Sequence, residues 1–191
     1  MVLGREAASD NAESFDFVFS VHQDYVYGLT HALLGNTQDA EDVTQDVFLR
    51  VYKALHTYRP ERASMRTWLT KMAVNACNTH RRRTILRGVW QQNASDDHNP
   101  ALERIDSSIL AAPEDHAMRA EVRKAVQDAI TALRPEHRTV LVLHYYMDFS
   151  CPEIAAVLEC PEGTVYSRLH YARRVIQSRL ERHSFHSNRE A

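Results

Sequence analysis

The sequence predicts an all-α protein: two small helical domains joined by a flexible acidic linker, the C-terminal one a helix-turn-helix. Three observations carry this. Only 5 Gly and 6 Pro occur in 191 residues, too few for a turn-rich sheet fold. Apolar residues recur in each long segment at the spacing of one helix face. From Thr84 to Pro113 the pattern stops, and Asn93, Asp96, Asp97, Asn99, Pro100, Ser107 and Ser108 dominate. The expected divisions are a flexible tail at 1–13, a helical domain at 14–83, the linker at 84–113, a second helical domain at 114–182 and a tail at 183–191.

The totals set further bounds. A hydrophobic fraction of 44% is that of a globular protein. Formal net charge is −2, which argues against a nonspecific nucleic-acid coat, so the segregation of charge matters more than its sum. Three scattered cysteines, an odd number, argue against a disulfide framework. No run approaches a membrane span and no basic-then-apolar signal opens the chain, so a cytoplasmic protein with no membrane insertion of its own is expected.

The first helix is expected from Ser14, with Phe15, Val18, Phe19, His22, Val26, Leu29 and Leu33 inward and a stop at Leu34-Gly35-Asn36. Thr37 or Asp39 then caps a second helix, Asp39 to about His56. Its buried stripe is Ala40, Val43, Val47, Val51 and Ala54, with Phe48 and Leu55 beside it. Asp39, Asp42, Gln45, Asp46 and Leu49 form another stripe, acidic with an exposed leucine in it. That pattern suits either a solvated face or a docking surface for a basic partner helix.

Tyr58 to Met65 breaks the pattern and reads as a loop, Arg59 being driven extended by Pro60. A third helix runs from Arg66 to Arg83, with Trp68, Leu69, Met72, Ala73 and Ala76 inward. Lys71, Asn75, Asn78 and Arg82 recur at i, i+4, i+7 and i+11 on another face, and Arg81, Arg82 and Arg83 end the helix. Arginines there complement the helix dipole, but three beside a stripe of amides and a lysine exceed what capping needs and suit phosphate.

The C-terminal domain opens with a helix from about Pro113 to Leu133, burying Met118, Val122, Ala125, Val126, Ile130 and Leu133. Pro135 restarts the chain into a helix lined by Val140, Leu141, Leu143, His144 and Met147. Ser150-Cys151-Pro152-Glu153 is a capping box before a short helix with Ile154, Ala155, Val157 and Leu158. A turn through Glu159-Cys160 leads to Pro161 and a second helix that buries Val165, Leu169, Ala172 and Ile176. Thr164, Ser167, Arg168, His170, Tyr171 and Arg174 remain on the outer faces, donors suited to base edges and phosphates in a major groove. The plain alternative is an ordinary helical hairpin with a solvated basic face.

Taken together, these pieces resemble an extracytoplasmic-function sigma factor, the small two-domain class of bacterial transcription initiation factor. The resemblance covers roughly Phe15–Arg83 and Glu114–Leu180. It rests on Asp39-Ala40-Glu41-Asp42-Val43-Thr44-Gln45-Asp46-Val47-Phe48-Leu49, on Tyr58-Arg59-Pro60 before Arg66-Thr67-Trp68-Leu69, and on Asn75 ahead of the arginines. In the second domain it rests on Leu133-Arg134-Pro135-Glu136-His137-Arg138, on Ser150 to Ala155, and on Pro161 to Leu169. The order and spacing of these pieces, not any one of them, make the match.

The resemblance implies roles. Asp39, Asp42, Gln45, Asp46 and Leu49 bind the clamp helices of the largest subunits of core RNA polymerase. Arg59, Arg62 and Ser64 of the loop, with Lys71, Asn75, Asn78, Arg81, Arg82 and Arg83, take the −10 element of promoter DNA, where a base leaves the stack. Thr164, Tyr166, Ser167, Arg168, His170, Tyr171 and Arg174 read the −35 element. The family is not enzymatic and needs no cofactor or metal, and its usual control is an anti-sigma factor. Three departures stand out: Thr79 where an acid is usual, Glu159 where Gly is frequent, and Tyr166 at a position often basic. The last shifts −35 readout toward Arg168, His170 and Tyr171.

Two other classes compete. Cys77 and His80 are three apart on one helix, as are His183 and His186, but no partner pair stands at zinc-site spacing. Cys151 and Cys160 sit at helix starts, where thiols acidify, which opens a redox-sensing role. A polymerase-independent helix-turn-helix regulator would use the same C-terminal domain but leaves the acidic stripe and the Arg59–Met65 loop unexplained.

Overall fold

A computed structural model describes residues 3–86, 88 and 125–187, with side chains for 14–86, 88 and 125–181. The chain divides into two compact units, Met1–His98 and Asn99–Ala191. Among the described residues every regular element is a helix.

The first unit holds α1 (Leu3–Leu34), α2 (Thr37–Ala54), a 3-10 turn at Leu55–Thr57 and α3 (Met65–Leu86). Val26, Leu29 and Leu33 of α1, Val43, Val47 and Val51 of α2, and Leu69, Ala73, Val74 and Cys77 of α3 fill one core. Helix geometry begins at Leu3, ahead of the expected start at Ser14. Residues 5–13 are rich in alanine and hold no proline, so nothing local breaks the helix there. Gly35 ends α1 with φ +83°, a left-handed turn that a Cβ would strain, and its N–H donates to the His31 carbonyl at 2.8 Å.

The cap of α2 is neither Thr37 nor Asp39. Asn36 does it: its Oδ1 accepts from the Asp39 amide at 2.7 Å, and its Nδ2 donates to Asp39 Oδ2 at 2.7 Å. The loop after α2 is fastened at both ends. Tyr58 packs on Trp68 with centroids 5.3 Å apart and planes inclined by 47°, and its hydroxyl donates to the Ala63 carbonyl at 3.0 Å. The third helix continues past Arg83 to Leu86, so residues 84–86 belong to it rather than to the linker; apart from residue 88, the rest of the linker through 113 lies outside the described residues.

The second unit holds a helical segment at 125–131 (α4), then α5 (Pro135–Tyr145), α6 (Cys151–Leu158) and α7 (Glu162–Ser187). The expected buried positions Met118 and Val122 lie outside the described residues. Val140 and Leu143 of α5, Ile154 and Val157 of α6, and Val165, Leu169 and Ala172 of α7 are its core. Ile130, Val175 and Ile176 pack on an adjoining cluster of Leu133, Leu141 and Ala172. Pro135 opens α5 as expected.

The capping box of α6 is complete: Ser150 Oγ accepts from the Glu153 amide at 3.4 Å, and Glu153 Oε2 accepts from the Ser150 amide at 2.8 Å. Glu159 then turns the chain in the left-handed region, φ +52°. The last helix runs to Ser187, so 183–187 continue it instead of forming the expected tail.

Candidate nucleic-acid interface

In the first unit the helical register separates two faces. On α2, Asp42, Gln45, Asp46 and Leu49 are exposed, Leu49 at 60%, while Val43, Val47 and Val51 between them are buried. A leucine left in water among acids is a surface that an apolar, basic partner would cover. Asp39, at the head of the same stripe, is only half-exposed. Besides Asn36, its Oδ1 lies 3.0 Å from His80 Nε2 of α3. Phe17 and Val21, one turn apart on α1, are also exposed, as is Tyr52 on α2. Behind Tyr52, Phe15 and Phe48 form an edge-on aromatic group that Phe19 completes, Phe19 standing 39% exposed rather than inward.

On α3, Asn75, Asn78, Arg82 and Arg83 are exposed and Lys71 is half-buried at the head of the row. Arg59 and Arg62 are exposed in the loop, and the Arg59 guanidinium donates to the carbonyls of His56 and Tyr58 at 3.1 and 3.0 Å. The loop arginine is thereby held in place.

Two residues of this set take structural places. Ser64 caps α3: its Oγ accepts from the Thr67 amide at 3.1 Å and its carbonyl from the Trp68 amide at 3.0 Å. Arg81 is turned inward, 7% exposed, and its Nη2 donates to the Leu33 carbonyl at the end of α1. It serves the C-terminal end of a neighbouring helix. The sequence holds the signal: 81 is four past Cys77 and seven past Val74, both buried.

The zinc reading of Cys77 and His80 meets the same register. Cys77 lies in the core, where burial pushes its thiol up to about 12, while His80 faces Asp39. Among the described residues no group of three potential ligands gathers.

In the second unit the outer face of α7 stands as expected. Tyr166, Ser167, His170, Tyr171 and Arg174 are exposed, and Thr164 and Arg168 are half-buried. The Ser167 hydroxyl donates to the Thr164 carbonyl at 3.0 Å, a local bond that competes with a base contact. Tyr166 reaches back to Cys151 at the start of α6, and that thiol, first among several causes, lifts the phenol above its ordinary value.

Sequence reasoning missed three residues that shape these faces. Arg173 places its guanidinium 5.5 Å from the centre of the exposed Tyr145 ring. His137 of α5 packs on Tyr171. Arg138 is buried and donates to the Ile130, Thr131 and Leu133 carbonyls, closing α4 as Arg81 closes α1. None of these contacts has a spacing within one helix that would reveal it.

Residues 18–85 match the family model Sigma-70 region 2, and residues 123–176 match Sigma-70, region 4. The RNA polymerase sigma-H factor of Pseudomonas aeruginosa is 33% identical over 178 residues, covering 88% of this chain and 86% of its own. The ECF RNA polymerase sigma factor SigW of Bacillus subtilis is 28% identical over 179 residues, covering 92% and 94%. Among solved structures, the sigma factor RpoE of Bartonella quintana, in complex with the anti-sigma factor NepR, has a TM-score of 0.67 at 18% identity, covering 88% of this chain and 98% of that one. CnrH, in complex with the cytosolic domain of CnrY, has a TM-score of 0.62 at 23% identity, covering 94% and 96%. At those identities the structural likeness is one of fold. No helix among the described residues is long and apolar enough to cross a membrane.

Proposed function

The chain belongs to the extracytoplasmic-function sigma factors, which direct RNA polymerase to promoters, and from that premise we propose how its surfaces divide the work. The exposed centre of the α2 ridge, Asp42, Gln45, Asp46 and Leu49, docks on the clamp helices of the largest polymerase subunits, with Asp39 at its edge. The α3 face, Asn75, Asn78, Arg82 and Arg83 with Lys71, together with Arg59 and Arg62 of the loop, engages the −10 element. There the amides meet an unstacked base and the cations hold phosphate. In the second unit Thr164, Tyr166, Ser167, Arg168, His170, Tyr171 and Arg174 read the −35 element from the front of α7.

One observation carries the reading most directly. Leu49 stands 60% exposed within a row of acids, while another helix of the same unit presents amides and arginines. A regulator that bound DNA without polymerase would have no use for the first surface. An anti-sigma factor belongs to the same proposal. The exposed apolar residues Phe17 and Val21 on α1 and Tyr52 on α2 support a protein partner on this unit, and the sigma factor RpoE is seen with the anti-sigma factor NepR.

The test is gel filtration of the full chain with core polymerase. The wild-type protein co-elutes, and the double variant Asp42→Lys/Asp46→Lys does not, while its thermal transition stays unchanged because both positions are exposed. Co-elution of the variant at the wild-type level removes the docking role of the ridge.

A further inference from the structure

His137, in the first turn of α5, lays its ring against Tyr171 of α7, centroids 4.3 Å apart and planes inclined by 32°. The histidine side chain is 15% exposed and Tyr171 is 49% exposed, so the imidazole forms a floor from which the phenol stands out. His137 Nδ1 is buried, 4.0 Å from Glu136 Oε1, and has no hydrogen-bond partner among the described residues. A leucine would fill the same space without a buried polar atom. What the imidazole adds is a flat ring and a charge that it takes up in mild acid, burial holding it below the ordinary histidine value.

We infer that His137 is a positioning residue for −35 recognition: its ring seats Tyr171 and so fixes the outer face of α7 that Arg168, Tyr171 and Arg174 share. The inference rests on the reading of α7 as the helix that enters the major groove. An aromatic side chain anchored on one face loses less freedom when it meets a base or a sugar than one swinging in water.

The ring also couples recognition to protons. The groups that face it are Glu136 and Arg134 at the start of α5, and Arg168 and Tyr171 from α7. Burial opposes the protonated imidazole most, and Arg168 and Arg134 repel it, while Glu136 and a cation–π contact with Tyr171 favour it. Promoter phosphates drawn onto the same face offset that repulsion, so bound DNA favours the protonated ring. By linkage, −35 affinity rises as pH falls through the histidine range.

The experiment uses holoenzyme assembled from the full chain and core polymerase. The probes are one promoter duplex selected by run-off transcription from a library and the same duplex with its −35 element scrambled. The ratio of the two affinities isolates −35 discrimination from everything else polymerase does with pH.

His137→Ala lowers the ratio by about threefold to tenfold, the worth of an aromatic pair. His137→Phe keeps the wild-type ratio at about pH 8, where the imidazole is neutral, and shows a smaller rise on acidification. An unchanged ratio in His137→Ala overturns the seat, and a full wild-type rise in His137→Phe overturns the coupling. Should His137→Ala lack a thermal unfolding transition, His137→Leu, which fills the space without a flat ring, decides the seat: a wild-type ratio near pH 8 overturns it, while the slope of His137→Phe still tests the coupling. A wild-type ratio near one overturns the assignment of α7 itself before any variant is made, and the inference with it.

Discussion

Three consecutive arginines close the charged face of α3 and go different ways. Each residue of a helix turns by about 100°, so a run of like side chains in sequence is a fan in space. Arg81 falls on the line of Val74 and Cys77 and is buried on the Leu33 carbonyl; Arg82 and Arg83 point outward. Arg81→Ala is therefore expected to cost about 2–3 kcal/mol, the worth of a hydrogen bond to a charged group, read as a lower urea midpoint. Arg82→Ala changes the stability by no more than about 0.5 kcal/mol while weakening promoter binding. The face of Lys71, Asn75, Asn78 and Arg82 was legible in the sequence because it has a period. The inward turn of Arg81 was half-legible, since its register was visible but the carbonyl it serves lies on another helix.

At the level of elements, what could be read locally came through. The capping box at Ser150, the stop at Gly35 and the proline starting α5 are each written in a few adjacent residues. What escaped involved neighbours far along the chain or competition among adjacent polar residues: Asn36 capping α2 in place of Thr37, and Arg138 closing α4.

The turn between α6 and α7 shows a local mismatch that the sequence did disclose. Glu159 occupies a left-handed conformation, φ +52°, where a side chain with a Cβ is strained. Glu159→Gly is expected to stabilise the second unit by about 1 kcal/mol, measured as a higher denaturation midpoint, with −35 discrimination unchanged.

For the whole molecule, a formal charge of −2 conceals strong segregation, with acids on one helix and arginines on another. The logarithm of the holoenzyme's promoter affinity should fall linearly with the logarithm of salt concentration. The double variant Arg82→Ala/Arg83→Ala should flatten that slope by about 2, one released counterion for each lost phosphate contact.

Acid acts on the free protein in the other direction. Burial holds His22 and His137 below the ordinary histidine value, Arg168 and Arg134 adding to it at His137 against the pull of Glu136. A lowered folded-state value means that the unfolded chain binds protons first. Their contribution is then full above about pH 6.5 and is lost as pH falls below it. Urea midpoints at neutral and mildly acidic pH measure the drop, and His22→Gln/His137→Gln makes it shallower.

The carboxylate of Asp39 answers at once to Asn36 beneath it and to His80 on the adjacent rod. It is less a spare charge awaiting a visitor than a knot between two neighbours. A partner that grips the ridge there shares that carboxylate with two neighbours, whereas Asp42 and Asp46 lie open to be taken. Capture of the ridge thus begins at its middle, and any hold on its first turn is felt on the helix that carries the arginines.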